Sequence, residues 1–421
     1  LAMRIAWARV LGLGSVAFGS LFWSQEKFEA TTECQAKKED SSQLELKLVQ
    51  VLFRHGARTP LKSIPDVLEV QWVPDLLEVP PHTHIDYVVT DLEGGPRPPS
   101  PVEDSYRAHI LTGGTYPGQL TTVGMQQLYD LGKRLRARYI QEVPFLTSSF
   151  SPAEVYVRST NIVRTIESAK CLVAGLFQQK QADVVPILTA EAEKEILYPN
   201  YHGCNLLRLL SGHRWAESST LPAIAEDLKS IQDALGIPVN QRVDFILIRD
   251  DMVARETHGL ACPSELVSWR AIVERRAVDM IYHIYEPSKR ENLQLCVGPL
   301  LHTMMANMDE KVKGVSPEPN RKLFLYSVHD TTLMPCLMAL GIFDMKWPPY
   351  AADITLELLE HRTTKEAFVK VAYLGQDQKI PGCSGVICPL AEFQEAMAAY
   401  TLPFDRYKER CDKTEGLPAK P

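Results

Sequence analysis

The run Leu44-Glu45-Leu46-Lys47-Leu48-Val49-Gln50-Val51-Leu52-Phe53 alternates at first and turns apolar towards its end. It passes without a break into Arg54-His55-Gly56-Ala57-Arg58-Thr59-Pro60. Alternation giving way to unbroken apolarity is what a strand entering a sheet covered on both faces needs. Such a strand belongs to an α/β sheet, in which the carboxyl ends of parallel strands border the ligand crevice. Arg54, His55 and Arg58 therefore stand where a substrate would bind.

Two later segments repeat the arrangement. Glu154-Val155-Tyr156-Val157 leads through Arg158-Ser159-Thr160 into an amphipathic helix expected over 161–178, with Ser159 or Thr160 as its N-cap. Lys322 to Val328 is strand-like and feeds His329-Asp330-Thr331-Thr332 and a helical run over 333–340. Thr121 opens a further helix, whose stripe is Gly124, Leu128, Leu131, Leu135 and Tyr139. The middle, about 191–314, is helical by periodicity, most clearly at 223–235 and 271–285. The runs 354–359 and 367–373 form a closing hairpin. Strand, loop and helix thus recur three times, with a helical insertion between the second and third, which predicts an α/β domain carrying an α-helical cap. The Pro-, Gly- and Asp-rich stretch 61–118 is long for a connection and is expected to be a lid-like insertion. In it Trp72, Leu76, Leu77, Val79 and Tyr87 either line an apolar channel or cover the core.

The three junctions together hold Arg54, His55, Arg58, Arg158, His329 and Asp330. The chain carries a net charge of -7, so it has no basic surplus for nucleic acid, and phosphate must be handled by a local cluster. Forked guanidiniums and helix N-termini suit phosphate oxygens. In such a pocket His55 attacks as neutral imidazole between two arginines, His329 donates to the phosphate, and Asp330 protonates the departing oxygen.

The start of the chain has no acidic residue before Glu26, and its 10–23 stretch is apolar but shorter than the ~18 residues of a spanning helix. A targeting segment and linker are expected over 1–42, mitochondrial or secretory, with the folded domain over 43–421 and cap insertions at about 61–118 and 191–314. Nine cysteines leave two states open: mostly reduced thiols, or two or three disulfides. Cys383 and Cys388 are close enough for a local bridge, and Cys336 is expected to be a buried free thiol.

Arg54-His55-Gly56-Ala57-Arg58-Thr59-Pro60 resembles the signature of the histidine acid phosphatases, branch 2 of the histidine phosphatase superfamily. The similarity continues through Gln119-Leu120-Thr121, Val157-Arg158-Ser159-Thr160 with Arg164-Thr165, His329-Asp330 and Pro348-Pro349-Tyr350-Ala351. It implies a phosphoglycerate-mutase-like three-layer α/β/α core. It also implies a phosphohistidine on His55, a phosphate clamp of Arg54, Arg58, Arg158 and His329, Asp330 as proton donor, and no metal or other cofactor. The segments Gln71-Trp72-Val73-Pro74, Leu197-Tyr198-Pro199-Asn200-Tyr201 and Lys346-Trp347-Pro348-Pro349 resemble a subgroup of that family acting on lysophosphatidic acid in mitochondria. The expected partner is thus a small phosphomonoester, for preference a lysophospholipid. A monomer is favoured, peripheral membrane contact is left open, and a lysosomal or secretory address is the alternative to the mitochondrial one. Phosphorylated sugars and inositol polyphosphates are the competing substrates. A phospholipid-binding protein without turnover is disfavoured, because all six residues are intact.

Overall fold

A computed structural model describes residues 41–178, 180–181 and 183–414. The expected targeting segment lies outside them, except for its last two residues. β1 (Leu44–Arg54) is followed by the short edge strand β2 (Tyr87–Thr90), α1 (Pro101–Arg107), α2 (Thr122–Arg136), β3 (Val155–Ser159), α3 (Val163–Phe177) and β4 (Val185–Leu188). The helical insertion contains α4 (Asn205–Ser218), α5 (Pro222–Leu235), α6 (Phe245–Thr257), α7 (Ser264–Ser268), α8 (Arg270–Tyr285) and α9 (Arg290–Lys313). The chain then re-enters the sheet as β5 (Leu323–Val328) and continues through α10 (Asp330–Ala339), β6 (Asp353–His361), β7 (Ala367–Tyr373), β8 (Gln376–Gln378), β9 (Ile387–Pro389), α11 (Leu390–Met397) and α12 (Phe404–Cys411).

The strands form one mixed sheet in the order β2-β4-β3-β5-β1-β6-β7-β8, with β9 also on β7. β2, β4, β3, β5 and β1 are mutually parallel, and β6 turns antiparallel beside β1. The three expected strands are therefore neighbours at the centre, and their helix-bound ends lie side by side. The sequence pattern does not predict β2 and β4. Each is four residues long, and β2 is half-exposed at the sheet edge, so neither carries a hydrophobic period long enough to register.

Strand alternation divides the core. Val49, Val51 and Phe53 of β1, with Val155, Val157, Leu323 and Leu325, pack on Leu128, Leu131 and Leu135 of α2 and on Leu172 and Leu176 of α3. Leu48 and Leu52 point the other way and join Tyr326, Val328, Ile354, α9, α10 and the helical insertion. Two helical layers thus sandwich the sheet, and the insertion is the cap.

Local corrections follow from caps and cysteines. Thr121 caps α2, its Oγ1 accepting from Gly124 N. The helix after β3 begins later than expected, with Ile162 at its N-cap and no side-chain cap there. Ser159 donates to its neighbour's carbonyl instead, and Thr160 bonds Thr165 and His329. Cys383–Cys388 is bridged as expected, and Cys336 is a buried free thiol. A second disulfide, Cys204–Cys411, ties the start of α4 to the end of α12. No helix among the described residues is long and apolar enough to cross a membrane.

Candidate active site

The loop after β1 is held from three sides. His55 N donates to Val328 O, Gly56 N to Ser168 Oγ on α3, and Ala57 N to Gln127 Oε1 on α2. Thr121 N returns a bond to Ala57 O at 3.0 Å. This clamping brings the backbone of Gly56 against Gly124: a Cβ built at Gly56 falls 2.2 Å from Gly124 O. Only glycine fits there, which explains the third residue of the Arg-His-Gly string.

His55 is 1% exposed, and its Nδ1 lies 2.8 Å from Gly56 O. A carbonyl can only accept, so Nδ1 carries the proton and Nε2 keeps its lone pair. Burial first, then the charges of Arg164, Arg54 and Arg58, push the His55 pKa well below its ordinary value. The ring is a neutral imidazole with one free nitrogen. His329 lies 5.5 Å away, ring to ring, and is likewise held well below the ordinary value by burial and by Arg164. Its Nε2 is bonded to Thr160 Oγ1 at 2.9 Å, which leaves Nδ1 as the second ring nitrogen.

Arg58 pairs with Asp250 of α6 through both terminal nitrogens, at 2.8 and 3.3 Å, so the cap orients this guanidinium. Arg54 lies beneath, 2% exposed, with Nη1 on Pro348 O and Nη2 on Asp330 Oδ2, both at 2.7 Å. The Tyr350 ring stacks 4.3 Å from its guanidinium. Trp347 Nε1 donates to the same Asp330 oxygen at 2.9 Å. Burial raises the Asp330 pKa, but Arg54, Arg58 and the Trp347 indole outweigh it and hold the carboxyl well below the usual carboxylate range. These neighbours therefore favour an ionised Asp330 over the protonated acid that a proton donor requires.

One expected clamp residue is elsewhere. Arg158 follows Tyr156 on the cap face of β3, opposite the face of Val155 and Val157, and pairs with buried Glu195 at 3.1 Å. It lines a different cavity, with Tyr156, Arg321, Phe324 and Tyr326. The guanidinium that enters the pocket is Arg164, in the first turn of α3. It is 5% exposed, reaches Tyr106 through Nη2, and has Nε and Nη1 buried without a hydrogen-bond partner. Two unmet donors on a buried cation are what an arriving phosphate satisfies. The Arg164-Thr165 string was visible in the sequence. Its place in the site was not, because it lies one helical turn beyond the strand end.

The pocket is a cavity of about 260 Å³. His55, Arg58, Arg164, His329 and Asp330 form its polar part. Leu61, Val102, Tyr106 and Ile162 add to the lining, and the segment 198–202 brings Tyr198, Pro199, Tyr201 and the polar His202 to it. None of the insertion residues expected along a channel takes part. Trp72 is 1% exposed in a small cluster with Leu111, Ala254 and the half-buried Leu76, and Val79 and Tyr87 are exposed. Leu77 is absent from the lining too. The insertion reaches the pocket through Leu61 at its start and through α1, which supplies Val102 and Tyr106. Among the described residues, no three His, Cys, Asp or Glu are grouped so as to hold a metal ion.

Residues 45–230 and 264–373 match the model of the histidine phosphatase superfamily (branch 2). The chain is 46% identical over 389 residues to lysophosphatidic acid phosphatase type 6 of Homo sapiens, covering 92% of this chain and 90% of that protein. It is 47% identical over 380 residues to the Bos taurus protein of the same name, at 89% and 88% coverage. Among solved structures, the apo form of Hafnia alvei phytase superimposes with a TM-score of 0.57 at 16% identity, over 86% of this chain and 99% of that one. That likeness concerns the fold alone.

Proposed function

The chain belongs to branch 2 of the histidine phosphatase superfamily, and from that premise we propose that it hydrolyses lysophosphatidic acid to monoacylglycerol and phosphate through a phosphohistidine on His55. The observation that carries the chemistry is the His55 ring: buried, neutral, its Nδ1 proton tied to Gly56 O, and its Nε2 free beside Arg58 and Arg164.

In the first half-reaction Nε2 attacks phosphorus in line, and the N–P bond forms as the ester P–O bond breaks. Arg54, Arg58, Arg164 and His329 spread the charge of the equatorial oxygens, the principal demand of phosphoryl transfer. Asp330 supplies the proton to the leaving alkoxide. It acquires that proton only with substrate bound, because an anionic phosphate on Arg54 and Arg58 offsets the charges that keep the carboxyl ionised. In the second half-reaction Asp330 takes a proton from water, the hydroxide attacks phosphorus, and the N–P bond breaks to give inorganic phosphate and neutral His55.

Two features support the lipid over a polyphosphorylated substrate. The walls beyond the phosphate site are mostly leucine, valine, isoleucine, proline and tyrosine, which suit an acyl chain. Among the described residues, no lysine lines the cavity. The identity to proteins named for lysophosphatidic acid points the same way. The same reading assigns a mitochondrial address, a monomeric enzyme and peripheral membrane contact. Imaging of the tagged full chain, sedimentation and vesicle flotation test these three.

The deciding experiment compares phosphate release from oleoyl lysophosphatidic acid, glycerol phosphate and an inositol phosphate, with chelator present throughout. The acylated substrate should be preferred, and acid-labile phosphate should be trapped on wild-type enzyme but not on His55→Ala. Normal turnover by His55→Ala sinks the mechanism. A preference for bare glycerol phosphate sinks the lipid assignment.

A further inference from the structure

Arg158 was left over by the site, and its partner shows what it does. Glu195 Oε1 accepts from Arg158 Nη2 at 3.1 Å and from the backbone N–H groups of Ile196 and Leu197, both at 2.7 Å. The two side chains are 7% and 1% exposed. The next carbonyl, Leu197 O, accepts from Thr332 Oγ1 at 2.6 Å, and Thr332 lies two residues beyond Asp330. The chain is thus pinned twice immediately before it becomes the pocket wall of Tyr198, Pro199, Tyr201 and His202, and the Tyr198 ring reaches 6.3 Å from His329. Neither Arg158 nor Glu195 lines the pocket itself.

We propose that the Arg158–Glu195 pair is a positioning device that sets the 198–202 wall against the phosphate site and so determines the preference for an acylated over a bare phosphomonoester. The inference rests on the lipid reading given above. A buried ion pair suits the task, because loss of either partner leaves an uncompensated charge and the backbone it anchors must move to relieve it. The phosphate clamp does not use the pair and keeps its geometry.

The test is full steady-state kinetics of Glu195→Gln and Arg158→Lys on oleoyl lysophosphatidic acid and p-nitrophenyl phosphate. In Glu195→Gln the amide oxygen still accepts both backbone bonds but has lost the charge. KM for the lipid should rise about tenfold with kcat nearly unchanged, and the aryl phosphate constants should not move. Arg158→Lys, which keeps a cation, should be intermediate. Arg158→Met, which removes the cation and leaves the carboxylate with its two backbone donors, should give the same split if Glu195→Gln fails to fold. Binding provides a readout independent of turnover: Glu195→Gln should weaken inhibition by decyl phosphonate and leave inhibition by inorganic phosphate intact. A parallel fall in kcat on both substrates overturns the proposal, since Arg158 would then act on the phosphate or on the whole fold. Unchanged constants and unchanged inhibition overturn it equally. A wild-type enzyme indifferent to the acyl chain is a separate result and counts against the lipid reading.

Discussion

Arg54 Nη2 lies 2.7 Å from Asp330 Oδ2, and the pair is almost sealed from solvent. The nominal proton donor of the site is thereby a carboxylate, and in the proposed mechanism its protonation is coupled to the binding of an anionic phosphate beside the same arginine.

That coupling makes leaving-group chemistry the best probe of Asp330. Asp330→Asn cannot shuttle a proton, so kcat on an alkyl phosphate should fall by about 10²–10⁴. The loss on p-nitrophenyl phosphate, whose phenolate needs no proton, should be much smaller. Equal losses on the two substrates, in single-turnover measurements, would show that Asp330 does not act on the leaving oxygen.

Arg164 has two buried donors unmet, and phosphate is their proposed partner. Arg164→Met should lower kcat/KM by about 10²–10³ on every phosphomonoester, because a donor to the transferring group is lost whatever the leaving group. Inhibition by inorganic phosphate should weaken in step.

Both pocket histidines are held below their ordinary pKa by burial and by Arg164. His55 must be neutral to attack, so the acid limb of kcat/KM should lie well below pH 6.5, and Arg164→Met should move it upward. Stability follows with a definite sign. Below the unfolded pKa of about 6.5 the unfolded chain takes up protons that the folded chain refuses, so folding stability falls with pH until the folded pKa values are reached. Asp251 opposes this, its carboxyl pushed up to about 6 by burial. Urea midpoints at pH 7 and pH 5 should therefore differ less in His329→Asn than in the wild type.

Gly56→Ala places a methyl 2.2 Å from Gly124 O, a backbone atom that cannot swing aside. Denaturant unfolding should show a loss of about 1–3 kcal/mol, with turnover falling more steeply because the displaced loop carries His55. A variant with unaltered stability and activity would mean that α2 and the loop separate freely.

Cys204–Cys411 closes a loop with a sequence separation of 207 residues. Chain entropy assigns such a closure about 5 kcal/mol, so Cys411→Ser should lower the thermal midpoint by several degrees. The short Cys383–Cys388 loop should contribute less when it is opened in the same way.

Much of this architecture could be read from the chain. The apolar exit of β1, the helix stripe from Leu128 to Leu135 and the His329-Asp330 pair at the start of α10 are local patterns with fixed periods, and local periods survive folding. They were sufficient for three parallel strands, a helical cap, and His55, Arg58, His329 and Asp330 around one cavity, with Arg54 beneath it on Asp330. The residues that make up the rest of the pocket obey no such pattern. Arg158 and Arg164 are both near the end of β3, and spacing alone favours the first. Only the packed sheet shows that the pleat turns Arg158 to the cap face, where Glu195 meets it, while the first turn of α3 carries Arg164 into the pocket. The apolar walls at Val102, Tyr106 and 198–202 come from segments far apart in sequence, and their meeting depends on how the insertions close over the sheet. Residue types at the strand ends thus determined the character of the site; which guanidinium enters the pocket, and which apolar segments complete its lining, was decided by the tertiary structure, since side-chain direction and long-range closure are set by packing and not by order in the chain.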